Sequence, residues 1–229
     1  CFVIGVMLLI ILVSVHAIDL GNYTGFDATR LLVPYGVILF ALGGSAAIPD
    51  LKVEIQRNKK LLKKAIIIGT VIPLLLYLLF AAAVVGVTGL GSTEVATVGL
   101  GAVLGPMAGV LGNLFAAFAM ATTFLLFALA LVWMYHYDYK MKKMTALVLT
   151  LAVPLLIVLS GLVTFIEVIA VTGAIAGGVE GTLIVLAHRA SQKKSERRPE
   201  YSVKNSLLIS CILIAVYLIG MAYTLSMMG

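Results

Sequence analysis

Charge is what this sequence has least of. Asp, Glu, Lys and Arg make up 11% of its 229 residues and hydrophobic types 62%, against roughly a quarter charged and a half apolar in a soluble domain. No polar stretch is long enough to fold as a soluble unit, so residues 1–229 read as a single membrane domain. Cysteine is also scarce: Cys1 and Cys211 both lie in apolar runs, which offers neither a disulfide framework nor a thiolate metal site. The three histidines, His16, His136 and His188, fall at or beyond the ends of apolar segments. Ser45 in Gly43-Gly44-Ser45-Ala46 therefore has no base within reach, as a serine nucleophile requires. Tyr137-Asp138 is half of a membrane aspartyl protease pattern, with no second acid after a Gly-x-Gly. The expectation is a protein that is not an enzyme and holds no cofactor.

What is present is a succession of apolar runs, each near the roughly 20 helical residues that cross a hydrocarbon core. They divide into seven segments at residues 1–17, 31–49, 65–90, 112–137, 144–162, 165–187 and 205–228. The first is apolar from residue 1, with no initiator Met and no basic leader, so residue 1 is expected to lie inside a longer protein whose earlier helices are missing here. The formal charge of +6 is sorted by topology. Lys52, Arg57, Lys59, Lys60, Lys63 and Lys64 share one connection; Lys140, Lys142 and Lys143 another; Arg189, Lys193, Lys194, Arg197, Arg198 and Lys204 a third. Of the 16 basic residues only Arg30 falls on the opposite side, which makes residues 50–64, 138–143 and 188–204 cytoplasmic by the positive-inside rule. A bilayer, not nucleic acid, accounts for the charge. Trp133, Tyr135, Tyr137 and Tyr139 cluster at the cytoplasmic end of the fourth segment, where an aromatic belt belongs.

Three features interrupt the pattern. Residues 94–113 are apolar but dense in glycine, which predicts an outer re-entrant or surface helix rather than a lipid-facing span. Pro73 and Pro154 fall inside continuous apolar runs and predict kinks. The second segment is of another kind: Leu31 to Phe40 has a helical pattern, Gly43-Gly44-Ser45 interrupts it, and Ala46-Ala47-Ile48-Pro49-Asp50 restarts a second piece. Glycine pairs disfavour a helix interior and Pro suits the first turn of a new one. Backbone freed at membrane depth survives where it lines a cavity or binds something; the alternative is a small-residue packing face. Glu180 is the one acid well inside a span, and so a functional candidate, for proton coupling or as a carboxylate wetted or bonded to a nearby hydroxyl. Glu167, near the outer end of its segment, reads as solvated.

The run Val37-Ile38-Leu39-Phe40-Ala41-Leu42-Gly43-Gly44-Ser45-Ala46-Ala47-Ile48-Pro49-Asp50-Leu51 resembles the sixth-helix motif of the amino acid/auxin permease family, within the superfamily that shares the leucine-transporter fold. The next stretch, through Lys59-Lys60, Lys63-Lys64-Ala65-Ile66-Ile67-Ile68-Gly69-Thr70, Ile72-Pro73-Leu74 and Tyr77-Leu78-Leu79, is similar to the tryptophan/tyrosine permease-like branch. Thr122-Thr123-Phe124-Leu125 and Val171-Thr172-Gly173-Ala174-Ile175-Ala176-Gly177-Gly178 add fainter echoes. The chain departs from the family in having only small or apolar residues, Leu42, Gly43 and Ser45, at the break, which leaves the substrate open.

The resemblance implies an all-α integral membrane fold whose seven segments correspond to helices five to eleven of the inverted-repeat fold. Residues 1–30 would end helix five with its outer loop, 31–187 form the second repeat, and 188–229 the inner loop and last helix. It implies a plasma-membrane, ion-coupled symporter of amino acids, aromatic or otherwise apolar, working by alternating access together with the missing N-terminal helices. The carbonyls of Phe40, Ala41 and Leu42 would then hold the substrate ammonium, Gly43 and Gly44 would leave room for it, and Ser45 would add a hydroxyl. The coupling ion is sodium or a proton. For sodium, superfamily members pair hydroxyls on the eighth helix, where Thr122 and Thr123 fall, with a free carbonyl near Ala119 as a further oxygen ligand; for a proton, Glu180 is the candidate. A channel or a non-transporting helical scaffold is the alternative reading.

Overall fold

In the computed structural model, residues 2–25, 27–55, 60–194 and 207–227 are described. Every regular element among them is helical: α1 Phe2–Ser14, α2 Tyr35–Leu42, α3 Ile48–Glu54, α4 Lys60–Thr88, α5 Ala96–Leu104, α6 Pro106–Trp133, α7 Lys143–Ser160, α8 Phe165–Thr172, α9 Gly178–Lys194 and α10 Leu207–Ser226. Two π-helical turns, Met134–Asp138 and Gly173–Gly177, extend α6 and join α8 to α9. Five helical stretches are long and apolar enough to cross a membrane, and Ile4–Ala17 is a shorter apolar helix. Of the basic residues assigned to the cytoplasmic side, Arg57, Lys59, Arg197, Arg198 and Lys204 lie outside the described residues.

Where the apolar side chains sit agrees with lipid as the surrounding medium. Large residues such as Leu126, Val158 and Leu208 are two-thirds exposed or more, while the buried apolar set is small and dominated by Ala and Val. In water so much exposed apolar surface would drive aggregation; in a bilayer no such force acts between helices, and small residues in close contact take over the packing.

The chain forms two compact units, Cys1–Gly25 with Leu78–Thr164, and Phe26–Tyr77 with Phe165–Gly229. In the first, Val84, Val87 and Leu100 form a buried cluster with Ile10, Ile18, Phe80 and Leu104 around it. The segment after α1 is tied to α4 by the Asp19 amide on the Gly86 carbonyl (2.9 Å), Asn22 Nδ2 on the same carbonyl (2.9 Å), and the Tyr23 hydroxyl on the Ala82 carbonyl (2.8 Å). The glycine-dense segment folds as a helical hairpin. The chain reverses at Gly105 (φ 98°), a left-handed value that favours glycine. α5 then lies on the start of α6 so closely that a Cβ on Gly109 would stand 3.1 Å from the Gly101 Cα. Thr97 Oγ1 donates to Asn113 Oδ1 at 2.7 Å across the same contact. The fourth apolar segment thus begins at Pro106, earlier than the expected residue 112, because Pro suits a first helical turn and the glycines after it face α5 rather than solvent.

In the second unit α2 packs on α8 and the following π-helical turn, and α10 packs on α9. The contacts are made by small residues. A Cβ on Gly36 would fall on the Ala170 carbonyl, and one on Gly173 would fall on the Gly36 carbonyl. Gly220 underlies the Tyr35 ring and Gly181 the Tyr217 ring, and the Tyr35 hydroxyl donates to the Tyr217 carbonyl at 3.3 Å.

Candidate functional site

The helix break expected between Leu42 and Ala46 is present. α2 ends at Leu42, Gly43 (φ −67°, ψ 81°) and Gly44 (φ −115°, ψ 6°) leave helical geometry, a single 3-10 turn spans Ser45–Ala47, and α3 starts at Ile48 with Pro49 in its first turn. Neither glycine needs a left-handed φ. Nor does either sit in a helix contact. A Cβ on Gly43 would meet only the Phe40 and Leu39 carbonyls (3.3 and 3.5 Å), and one on Gly44 only the Leu42 carbonyl at 3.9 Å. Small-residue packing, the alternative for these glycines, belongs instead to Gly36 on the helix before them.

The break borders a cavity of about 630 Å³, within the range of small-molecule sites. One wall is Ala41, Leu42, Gly43, Gly44 and Ser45 with the first turns of α3; the other is a face of α4 carrying Ala65, Gly69, Pro73 and Tyr77, spaced by four residues, with Ile66 and Thr70 beside them. Its polar side chains are few: Ser45, Thr70 and Glu54 together with the Tyr77 hydroxyl. Phe40 is not in this lining. Its carbonyl accepts the Gly43 amide at 3.3 Å, and its Cβ lies 2.9 Å from where a Cβ on Gly173 would stand, so it serves the contact of α2 with the π-helical turn after α8.

Glu180 does not line this cavity but is bonded to the break. Ser45 Oγ donates to Glu180 Oε1, which ties the break to the first turn of α9. Glu180 also opens onto a shallow cleft of about 500 Å³ along α9, lined by Ile175, Val179, Leu183 and Ile184. The π-helical turn at Gly173–Gly177, one turn before Glu180, is the irregularity that commonly accompanies a functional position in a membrane helix.

Thr122 and Thr123 are arranged differently. Thr122 Oγ1 donates to the Phe118 and Ala119 carbonyls (3.0 and 2.9 Å), and Thr123 Oγ1 donates to the Ala119 carbonyl (2.9 Å). The carbonyl expected to be free for an ion is therefore already the acceptor of two hydroxyls, because threonine in a helix reaches back one turn for a partner. Among the described residues no group of three or more His, Cys, Asp or Glu could hold a metal.

Residue patterns foretold the break but not its opposite wall. The signal for α4 was in the sequence: Ala65, Gly69, Pro73 and Tyr77 recur at the four-residue spacing that aligns side chains on one helix face. The Ser45–Glu180 pairing has no local signal, since 135 residues separate the two.

Among the described residues, helices with exposed apolar faces, five of them long and apolar enough to cross a membrane, mark a multi-pass membrane protein. It belongs to the tryptophan/tyrosine permease family, whose family model matches residues 1–224. No curated protein and no solved structure matches it. Membership implies amino-acid transport and a permease rather than an enzyme, in line with the resemblance read from residues 37–86.

Proposed function

We propose that the chain is the part of an aromatic amino-acid symporter that carries one wall of the substrate site, and that it couples transport to protons through Glu180. The observation that carries this reading is the break at Gly43–Ser45, open to the cavity and bonded to Glu180. The end of α2 offers the Ala41 and Leu42 carbonyls, which carry partial negative charge and suit a substrate ammonium; the Phe40 carbonyl is partly committed to Gly43. The uncovered backbone at Gly43 and Gly44 lets the zwitterion approach, and the apolar faces of α3 and α4 suit an aromatic side chain. Helices before residue 1, corresponding to the first repeat, would take the carboxylate. The seven segments then correspond to helices five to eleven of the leucine-transporter-type fold, in the plasma membrane, with residues 50–64, 138–143 and 188–204 cytoplasmic.

Coupling follows from the pair. Ionised Glu180 accepts the Ser45 hydroxyl and holds the break against α9; a proton on the carboxyl removes the charge-assisted bond and releases the break for rearrangement. A proton-driven cycle needs such a two-state contact. Sodium at Thr122 and Thr123 is the second reading, resting on two adjacent hydroxyl oxygens whose lone pairs remain accessible.

Uptake of labelled tryptophan or tyrosine into proteoliposomes under a proton gradient or a sodium gradient separates the two. Uptake driven by protons is expected, with Glu180→Gln retaining exchange but losing accumulation against a gradient. The double variant Thr122→Val, Thr123→Val is expected to leave uptake within about twofold of the parent. Accumulation that follows sodium and collapses in the threonine double variant would overturn the assignment to Glu180.

A further inference from the structure

α4 runs without interruption from Lys60 to Thr88 with Pro73 inside it. A helical ladder assigns each carbonyl the amide four residues on, and proline has none to give. The carbonyl deprived in this way is that of Gly69. In a bilayer such a group must find another donor.

Gly69 and Pro73 both line the 630 Å³ cavity opposite the broken helix. Glycine in a helix interior costs about 1 kcal/mol relative to alanine, and at most of the close helix contacts in this unit the reason for glycine is plain. At Gly69 no contact requires it: a Cβ there would meet nothing within 4 Å, and the position lies in regular helix. The effect of having no side chain is to leave the backbone at this point uncovered toward the cavity. The nearest hydroxyl on the same wall does not serve the carbonyl, since Thr70 Oγ1 donates to the Ile66 carbonyl at 2.8 Å. The rest of the lining is mainly apolar, with Leu42, Ile48, Leu51 and Ile66.

From this juxtaposition we propose that the Gly69 carbonyl is a specificity-determining acceptor: it takes a hydrogen bond from the side-chain donor of the substrate, an indole N–H or a phenol O–H. The inference rests on the substrate reading given under Proposed function and deepens it. An apolar cavity alone ranks aromatic side chains by size and shape, whereas one acceptor in an apolar wall selects those aromatic rings that carry a donor. Phenylalanine, with none, leaves the carbonyl unsatisfied, and a buried unsatisfied acceptor is costly.

The test is competition against labelled tryptophan uptake by the whole transporter in proteoliposomes. Tryptophan is expected to compete on the order of tenfold better than 1-methyltryptophan, and tyrosine better than O-methyltyrosine by a similar factor, as for one hydrogen bond in an apolar site. Pro73→Ala returns an amide to the ladder position, where it engages the Gly69 carbonyl; both ratios should fall toward one, and phenylalanine should gain on tryptophan because it no longer leaves that carbonyl unsatisfied. Pro73→Val supplies the same amide should the alanine variant fail to fold, and Thr70→Val should leave the ratios unchanged. Equal competition by the methylated analogues in the parent protein overturns the inference, as do ratios that survive in the proline variants or collapse in Thr70→Val. Uptake of tryptophan with flat ratios sinks this inference alone; absence of any tryptophan or tyrosine uptake sinks the substrate reading and this inference with it.

Discussion

Gly44→Leu is expected to lower substrate uptake roughly a hundredfold or more while leaving the protein inserted and as resistant to heating as its parent. Displacement of a bound reactant by about 1 Å already costs on that order, and a leucine side chain is longer than that. The separation of function from stability follows from the local geometry. Gly44 has φ −115°, a value open to any residue, and its Cβ would have only the Leu42 carbonyl within 4 Å, at 3.9 Å. Replacing glycine where no strain results restricts the unfolded chain, worth about 0.4–1 kcal/mol in favour of the folded state. The added side chain therefore goes into the cavity and not into a packed contact. Uptake and thermal unfolding in detergent, measured on the same preparation, check this; uptake preserved at the parental rate would remove Gly44 from the site.

Gly173→Ala should behave in the opposite way, with a large loss of stability from a single methyl group. Its Cβ would land on the Gly36 carbonyl and stand 2.9 Å from the Phe40 Cβ. Both neighbours are fixed, one backbone and the other the root of a side chain, so the strain cannot be relieved by a rotamer change. Overpacking of this kind costs about 1–3 kcal/mol and sometimes more; with backbone as the obstacle the upper end is expected. Gly177→Ala should be milder, since its Cβ would meet Leu39 Cβ at 3.2 Å and Cδ1 at 3.3 Å, longer approaches that involve no backbone atom and of which the Cδ1 can swing away. The order Gly173, then Gly177, then Gly44 in thermal unfolding of alanine variants is the expected result. Equal melting of all three would contradict the packing of α2 on the π-helical turn after α8.

These two glycine classes also show what could be read from residues alone. The break was legible because Gly43-Gly44 followed by Pro49 is a local signal, written in backbone preferences. The close contact at Gly36 was not, because Gly36 and Gly173 are far apart in the chain and nothing local distinguishes a packing glycine from a hinge glycine. Pro73 stands out within its apolar run, yet its consequence for Gly69 depends on both residues lining one cavity. Glu180 stands out by its depth in an apolar run, a position that suits a bond to a nearby hydroxyl; that the hydroxyl is Ser45, 135 residues away, has no local signal. Thr122 and Thr123 suggest an ion site by their paired hydroxyls beside a free Ala119 carbonyl, and in the fold those hydroxyls themselves take that carbonyl.

The measurement that reaches the central claim most directly is protection of the broken helix by substrate. In a background with Cys1 and Cys211 replaced, Ala47→Cys puts a thiol on the cavity wall, and Leu126→Cys puts one on α6 outside that lining, where the leucine is 70% exposed. A membrane-permeant maleimide is applied with and without tryptophan or tyrosine. Substrate is expected to slow labelling at position 47 several-fold and to leave position 126 unchanged. Labelling at 47 that is indifferent to substrate, in a preparation that transports it, would contradict the assignment of the site to the helix break.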